Sequence, residues 1–303
     1  MKPFSTPLAP LIRKGNAMPS STSPAPKVVL ITGTSTGIGL ATAVAAAQAG
    51  WTVVATLRDP ARSGALREAA TAAGVAERVH VKRLDVTDRA SITACLDEVA
   101  SEHGHLDAVV NNAGVGAVGT VERVGTELFR TAMEVNFFGV VEVTGAAMPL
   151  LRATGGRIIT VTSVGGVVGQ PFNEAYCAAK FAAEGFMESL APVAAAVGVG
   201  VTVVEPGPVA TEFVANLDLD VPALLEAAGP YAAPLKGYVD HVMATFEGAQ
   251  TAVDVAATVV EALTAERPPF RAQTSGEARD FVATKLADLD GSRVQQLTAS
   301  WLS

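Results

Sequence analysis

Val28-Val-Leu-Ile-Thr32-Gly33-Thr-Ser35-Thr36-Gly37-Ile38-Gly39 is a short apolar run that breaks into three glycines before an Ala-rich stretch begins. An apolar run of this length, without polar alternation, suits a strand covered on both faces. Glycines at the turn let backbone N–H groups reach a pyrophosphate, and the N-terminus of the following helix adds favourable dipole charge. The stretch reads as strand, turn and helix of a dinucleotide-binding βαβ unit, with Gly33, Ser35, Thr36, Gly37, Ile38 and Gly39 around the phosphates.

Working outward, the same alternation recurs. Strands are expected at 27–32, 52–56, 79–84, 107–111, 157–162 and 199–204, with a weak edge strand at 270–273. Helices are expected at 38–49, 60–73, 88–103, 126–152 and 174–197. Alternating β and α with right-handed crossovers gives an α/β fold: a single-domain, doubly wound parallel sheet, or Rossmann fold, over 27–303. Residues 1–26, rich in Pro and Ser, read as a flexible leader, and Met18 is an alternative start. Residues 211–251, with Pro222, Pro230 and Pro234, depart from the repeat and are expected to cover the substrate cleft. The tail 275–303 reads as a helical extension anchored by Phe281, Leu286 and Trp301.

The chain has 303 residues, 49% hydrophobic and only 17% charged, so a large core is available and global disorder is excluded. A net charge of −8 without a basic stripe argues against a nucleic-acid partner. Cys95 and Cys177 are far apart, which fits a reducing cytoplasm and offers neither a disulfide framework nor a thiolate metal site; no metal is expected. No uninterrupted apolar run of about 18 residues suggests a membrane span.

Chemistry concentrates at the expected strand ends. Tyr176 and Lys180 stand four residues apart on one helix face, with Ser163 thirteen residues before Tyr176. An ammonium beside a phenol favours phenolate and draws its pKa from about 10 towards neutrality. Such a tyrosine can exchange a proton with an alcohol or ketone oxygen. Asn136 falls inside a long helix, where Asn is a poor helix former unless its amide is used. It either satisfies a helix distortion or holds a water relay to Lys180. Asp85 and Val86 follow the third strand, facing an adenine edge. Asn112, Ala113 and Gly114 cap the fourth. The second strand ends in Leu57-Arg58 where an acid would select NAD, which favours NADP(H) with NAD(H) still admitted; pairing of Arg58 with Asp59 is the competing account. Gly33-Thr-Ser35-Thr-Gly37 also spells the elbow of a serine hydrolase, with His241 as the histidine available, but that reading leaves Gly39 idle.

In order and spacing, Thr32–Gly39, Asp85, Asn111–Gly114, Asn136, Ser163, Tyr176/Lys180 and Pro206-Gly-Pro-Val-Ala-Thr211 resemble the classical short-chain dehydrogenases/reductases. Ala55-Thr-Leu-Arg58-Asp, Gly169-Gln-Pro-Phe-Asn173 and Tyr176-Cys-Ala-Ala-Lys-Phe-Ala-Ala-Glu-Gly185 resemble most the 17-beta-hydroxysteroid dehydrogenase type 1 group and its retinol dehydrogenases. Tyr238-Val-Asp-His241 and Ala287–Ser292 continue that likeness. The resemblance implies Asn136, Ser163, Tyr176 and Lys180 as catalytic residues. It implies that Tyr176 and Lys180 also contact the cofactor, and that Pro206, Gly207, Val209 and Thr211 hold its carboxamide edge. A small hydrophobic alcohol or ketone, steroid-like, would lie against Ser163, Val164, Phe172, Tyr176, Phe213, Tyr238 and His241, with Val115, Val167 and Val214 along the wall. A homodimer or tetramer is the family expectation. A non-catalytic dinucleotide sensor is the alternative of another class, although all four catalytic side chains are present.

Overall fold

The structure, a computed structural model, describes residues 26–211, 221–246, 248–287, 297 and 300. The leader up to residue 25, Phe213, Val214, Trp301 and the tail beyond Ala287 apart from Leu297 and Ser300 lie outside the described residues.

Strand β1 (Val28–Thr32) is buried along its whole length. It lies between β2 (Thr52–Leu57) and β4 (Ala108–Asn111), Leu30 being level with Val54 on one side and Val109 on the other. Adding β3 (Val79–Arg83), β5 (Arg157–Val161), β6 (Gly200–Glu205) and β9 (Arg271–Gln273) gives a seven-stranded sheet in the order β3-β2-β1-β4-β5-β6-β9. Every neighbouring pair is parallel. The expected edge strand is therefore real. The order reverses between β1 and β4, where a doubly wound sheet opens a crevice for a ligand.

Helices cover both faces because the strands leave apolar side chains on each. On one face Leu30, Val109 and Ile158 pack with Ile92, Val143, Leu151 and Met187 of α3 (Arg89–His103), α5 (Gly139–Thr154) and α6 (Glu174–Ala195). On the other, Ile31, Val110 and Ile159 meet Ala43, Ala46, Val259 and Leu263 of α1 (Gly37–Gln48) and α9 (Ala252–Thr264). The alanines of α1 leave room for α9 to approach. Each fully buried Leu or Ile contributes about 1.5–3 kcal/mol. Asp88 starts α3 by accepting from the backbone N–H groups of Ala90 and Ser91.

The expected helices 60–73 and 126–152 need correction. Asp59 first caps a tight turn over Pro60–Arg62, and α2 begins at Gly64 and runs to Ala72. The longer one is α4 (Val121–Met133), a single wide π turn (Glu134–Phe138), then α5. This continuous stretch is, among the described residues, long and apolar enough to cross a membrane, which qualifies the sequence expectation. In its most apolar window 39% is buried within the fold.

After β6 the chain makes β7 (Val209–Ala210), α7 (Val221–Ala227) and α8 (Ala232–Phe246). It then returns through β8 (Gln250–Thr251), which pairs with β7. α10 (Gly276–Leu286) follows β9 and lays Ala278 and Val282 against Val164, Val167 and Val168.

Candidate active site

A cleft of about 2480 Å³ runs along the carboxyl ends of the strands, past the reversal point. Its first half is the glycine turn. A Cβ on Gly39 would stand 2.2 Å from the Gly33 carbonyl oxygen and 2.4 Å from the Asn112 amide nitrogen, so only glycine fits. Gly33 has φ +71 and backs onto Ala113. Thr36, the N-cap of α1, spends no side-chain bond on the cap, and the first turn carries no acidic residue. A bare helix N-terminus behind closely packed glycines fits a pyrophosphate.

Asn112 supports this turn from beneath. Its amide donates to the carbonyls of Thr32 (2.8 Å) and Gly33 (3.0 Å), so it holds the loop from a position on the cleft lining. One Asp85 oxygen accepts from the Thr87 N–H and hydroxyl, which orders the loop expected to meet the adenine. At the end of β2, Leu57 is buried and Arg58 is exposed beside the cleft. Asp59 accepts from the Ala61 N–H and forms no ion pair with Arg58. Arg62 lines the cleft next to Arg58, a basic residue that the sequence reading passed over. Two arginines within five residues were the available signal.

The second half holds the reactive side chains. Ser163 leaves β5 with extended backbone, and its hydroxyl accepts from the Gly165 N–H at 3.0 Å. The Ser163 hydroxyl and the edge of the Tyr176 ring both flank Gly165, at 3.4 and 3.3 Å from where a Cβ would be. Lys180, buried one turn further along α6, donates to the Val161 carbonyl at 3.0 Å, and its Nζ lies 5.8 Å from the Tyr176 ring centre. The serine, tyrosine and lysine are thus brought together as expected.

Their electrostatics differ from the sequence expectation. Burial pushes the Tyr176 phenol up to about 12, against a smaller opposing effect of the Ser163 side chain. Burial also brings Lys180 down to about 8, which the charge of Glu184 partly offsets. The ammonium does not draw the phenol towards neutrality here. Sharing a helix face gave proximity, but the lysine reaches back to β5 instead of across to the hydroxyl.

Asn136 also takes a different part. It sits in the π turn, fully buried and off the cleft lining, accepting from the Val115 N–H and donating to the Val115 carbonyl, both at 2.9 Å. Of the two roles open to it from the sequence, the structure shows the amide stapling the β4–α4 loop to the distorted helix. Its Oδ1 and the Lys180 Nζ nevertheless flank Gly114, at 2.9 and 3.6 Å from where a Cβ would be.

At the substrate end, Val115, Val164, Tyr238 and His241 line the cleft. Phe172 does not: its ring is buried in the cluster with Ala228, Leu235 and Tyr238, behind the wall. Its backbone is held at φ +55, unusual for a bulky residue, by a bond from the Gly119 N–H to its carbonyl. Val167 likewise packs beneath α10. The Tyr238 hydroxyl accepts from the Asn173 amide at 2.6 Å, and burial raises its pKa. Burial lowers that of His241. Gln170 and Phe281 complete the lining and were missed, because one lies in a loop and the other on a tail helix whose docking the sequence does not specify.

A nucleotide-binding turn and a Ser–Tyr–Lys group facing one crevice define an NAD(P)-dependent dehydrogenase or reductase. Over residues 27–222 the chain matches the short chain dehydrogenase family, and it belongs to that family. It is 38% identical over 277 residues to retinol dehydrogenase 8 of Bos taurus, with 88% of each chain covered. It is 36% identical over 244 residues to the human 17-beta-hydroxysteroid dehydrogenase type 1, covering 79% of this chain and 74% of that one. Among solved structures, a short-chain dehydrogenase from Streptomyces avermitilis superposes with a TM-score of 0.73 at 31% identity, covering 92% and 98% of the two chains. The family assignment leaves Ser35 as part of the nucleotide turn and the hydrolase reading without support.

Proposed function

We propose that the protein interconverts a secondary alcohol and a ketone on a hydrophobic substrate, most simply a steroid, with NADP(H) preferred over NAD(H). The observation that carries this reading is the placing of the Ser163 hydroxyl and the Tyr176 ring together against Gly165, next to buried Lys180 and on a cleft with an apolar wall. When bound, the nicotinamide supplies or accepts the hydride. Tyr176 gives its phenolic proton to the carbonyl oxygen in reduction and takes it back in oxidation. Ser163 hydrogen-bonds that oxygen and stabilises charge developing on it. Lys180, its Nζ 5.8 Å from the ring centre, supplies positive charge near the phenolate that forms only during turnover.

The steroid reading is supported by the likeness to 17-beta-hydroxysteroid dehydrogenase type 1 and by Tyr238 and His241 on the wall. Retinoids, polyketides and other lipophilic carbonyls suit the same apolar surface. An NADPH-fluorescence screen with estradiol, testosterone, retinol and aromatic ketones is expected to show highest kcat/KM for a steroid. A steroid at background level beside an active retinoid or aromatic ketone would remove the steroid assignment and keep the reaction class. A second copy is proposed to pack on the outer faces of α6 and of the stretch from α4 through the π turn to α5, where Val193 and Phe138 are exposed.

For the cofactor, Arg58 and Arg62 offer guanidinium groups to a 2′-phosphate, with no carboxylate paired to either among the described residues. Replacing Leu57 by Asp and Arg58 by Ala together is expected to move the NADP/NAD ratio of kcat/KM about 100-fold towards NAD. A ratio that stays put would contradict the selectivity argument.

A further inference from the structure

Behind the cleft, three consecutive residues of the β5 exit are each held by a different partner. The Val161 carbonyl receives Lys180, Thr162 is bound from below, and Ser163 faces Tyr176. What binds Thr162 is Glu184, a carboxylate that is only 5% exposed and stands one helical turn beyond Lys180. The Thr162 hydroxyl donates to Glu184 Oε1 at 2.5 Å. The other oxygen, Oε2, accepts from Arg271 Nη1 on β9 at 2.5 Å. The same Nη1 donates to Glu205 at 2.6 Å, a fully buried carboxylate that also accepts from Gln273. Arg271 Nη2 reaches the exposed Glu188 at 2.7 Å.

Glu205 is the last residue of β6 and immediately precedes Pro206, whose carbonyl accepts from the Val164 N–H at 2.9 Å. One buried ionic group therefore joins the two loops that frame the reactive centre. Its charges balance only as a set. Inside are two carboxylates, Glu184 and Glu205, and two cations, Arg271 and Lys180. Arg271 is shared between both carboxylates and Glu188, and Glu184 in turn is the charge that acts on Lys180, four residues before it on α6.

We infer that Glu184 is a positioning residue for catalysis, holding Thr162 in place and keeping Lys180 in its charged form from behind the cleft. The inference rests on the proposed role of Lys180. The groups facing Glu184 are Lys180 and Glu188 from α6, Thr162 from the end of β5, Glu205 from β6 and Arg271 from β9. Burial raises Glu184 to about 7 and brings Lys180 down to about 8, so the two groups change charge in neighbouring pH ranges. Neutralising Glu184 removes an attraction for the ammonium, and Lys180 then loses its proton at lower pH.

The test uses full-length protein carrying 13C at lysine Cε, with the Lys180 signal assigned from Lys180→Arg and titrated by NMR in the wild type, Glu184→Gln and Thr162→Val. Glu184→Gln is expected to lower the Lys180 midpoint by about one unit. Thr162→Val is expected to shift it in the same direction by less, because loss of the hydroxyl bond makes Glu184 easier to protonate. In the reductive direction, the alkaline fall in kcat is expected to move down with the midpoint. An unchanged Lys180 titration in folded Glu184→Gln overturns the inference; if that variant does not fold, an unchanged titration in Thr162→Val does so. A midpoint that moves while the pH–rate limb stays fixed overturns the link to catalysis. Coupling without NADP(H)-dependent turnover of any alcohol or ketone in the wild type supports the charge coupling and defeats the proposed reaction instead.

Discussion

Tyr176→Phe is expected to lower kcat about 10³-fold while changing NADPH affinity by no more than about twofold. The substitution keeps the ring, which packs beside Leu128, Phe129 and Met133 over the alanine cluster of Ala117, Ala132 and Ala179. Only the hydroxyl and its interaction with the Ser163 side chain are lost, a stability cost of about 1 kcal/mol at most. The nucleotide turn of Gly33–Gly39 lies at the other half of the cleft and is untouched. With the phenol pushed up to about 12, its protonated form dominates at neutral pH, so reduction starts with the proton in place. Oxidation needs that proton removed, and its rate is expected to climb from about pH 7 to about pH 10 while reduction does not. Initial rates in both directions, with NADPH binding followed by fluorescence, check this. A Tyr176→Phe enzyme within about tenfold of wild-type kcat would mean that another group moves the proton.

Much of this was legible in the chain because the signals are local. A strand buried on both faces leaves a continuous apolar run, and a pyrophosphate turn leaves closely spaced glycines. Strands β1, β2, β4, β5 and β6 could be read in that way, while half-exposed β3 and the edge strand β9 carry weaker signals, and Ser163, Tyr176 and Lys180 were read from their spacing. What escaped depends on where a side chain ends rather than where it starts. The positions of Lys180 and Tyr176 predict that they are neighbours, but not that the ammonium prefers the Val161 carbonyl. Asn112 and Asn136 stand where a ligand-facing role is expected, yet both spend their amides on backbone of the adjoining loops. Phe172 is an apolar residue near a cleft, and an unusual backbone angle turns it into the wall behind. The two-residue strands β7 and β8 are too short to carry a period. The ionic group behind the site joins residues 87 and 66 positions apart in sequence. Its one local sign was a glutamate, Glu205, closing an otherwise apolar strand.

Arg271→Met is expected to destabilise the protein by about 3–5 kcal/mol at pH 8, the cost of leaving buried carboxylates without their cation. Methionine fills much of the guanidinium's space, so the loss is chiefly electrostatic. The Arg271 bond to exposed Glu188 contributes little, since water screens that partner. Glu184 and Glu205 are different, being almost closed to solvent. Without the guanidinium, the Glu184 carboxyl holds its proton to still higher pH, further above the ordinary 4.5 of an unfolded chain. The folded variant then binds more protons than the unfolded chain above that value, and its stability falls as pH rises through the window. Nearer pH 5 the Glu184 carboxyl of the folded variant is neutral, and the deficit against wild type narrows. Urea unfolding of both proteins at pH 5.5 and pH 8 measures the two deficits. Equal losses at the two pH values would show that the carboxylates remain charged and find water or another cation. In that case the charge balance assigned to Arg271, and with it the electrostatic hold on Lys180, would not stand.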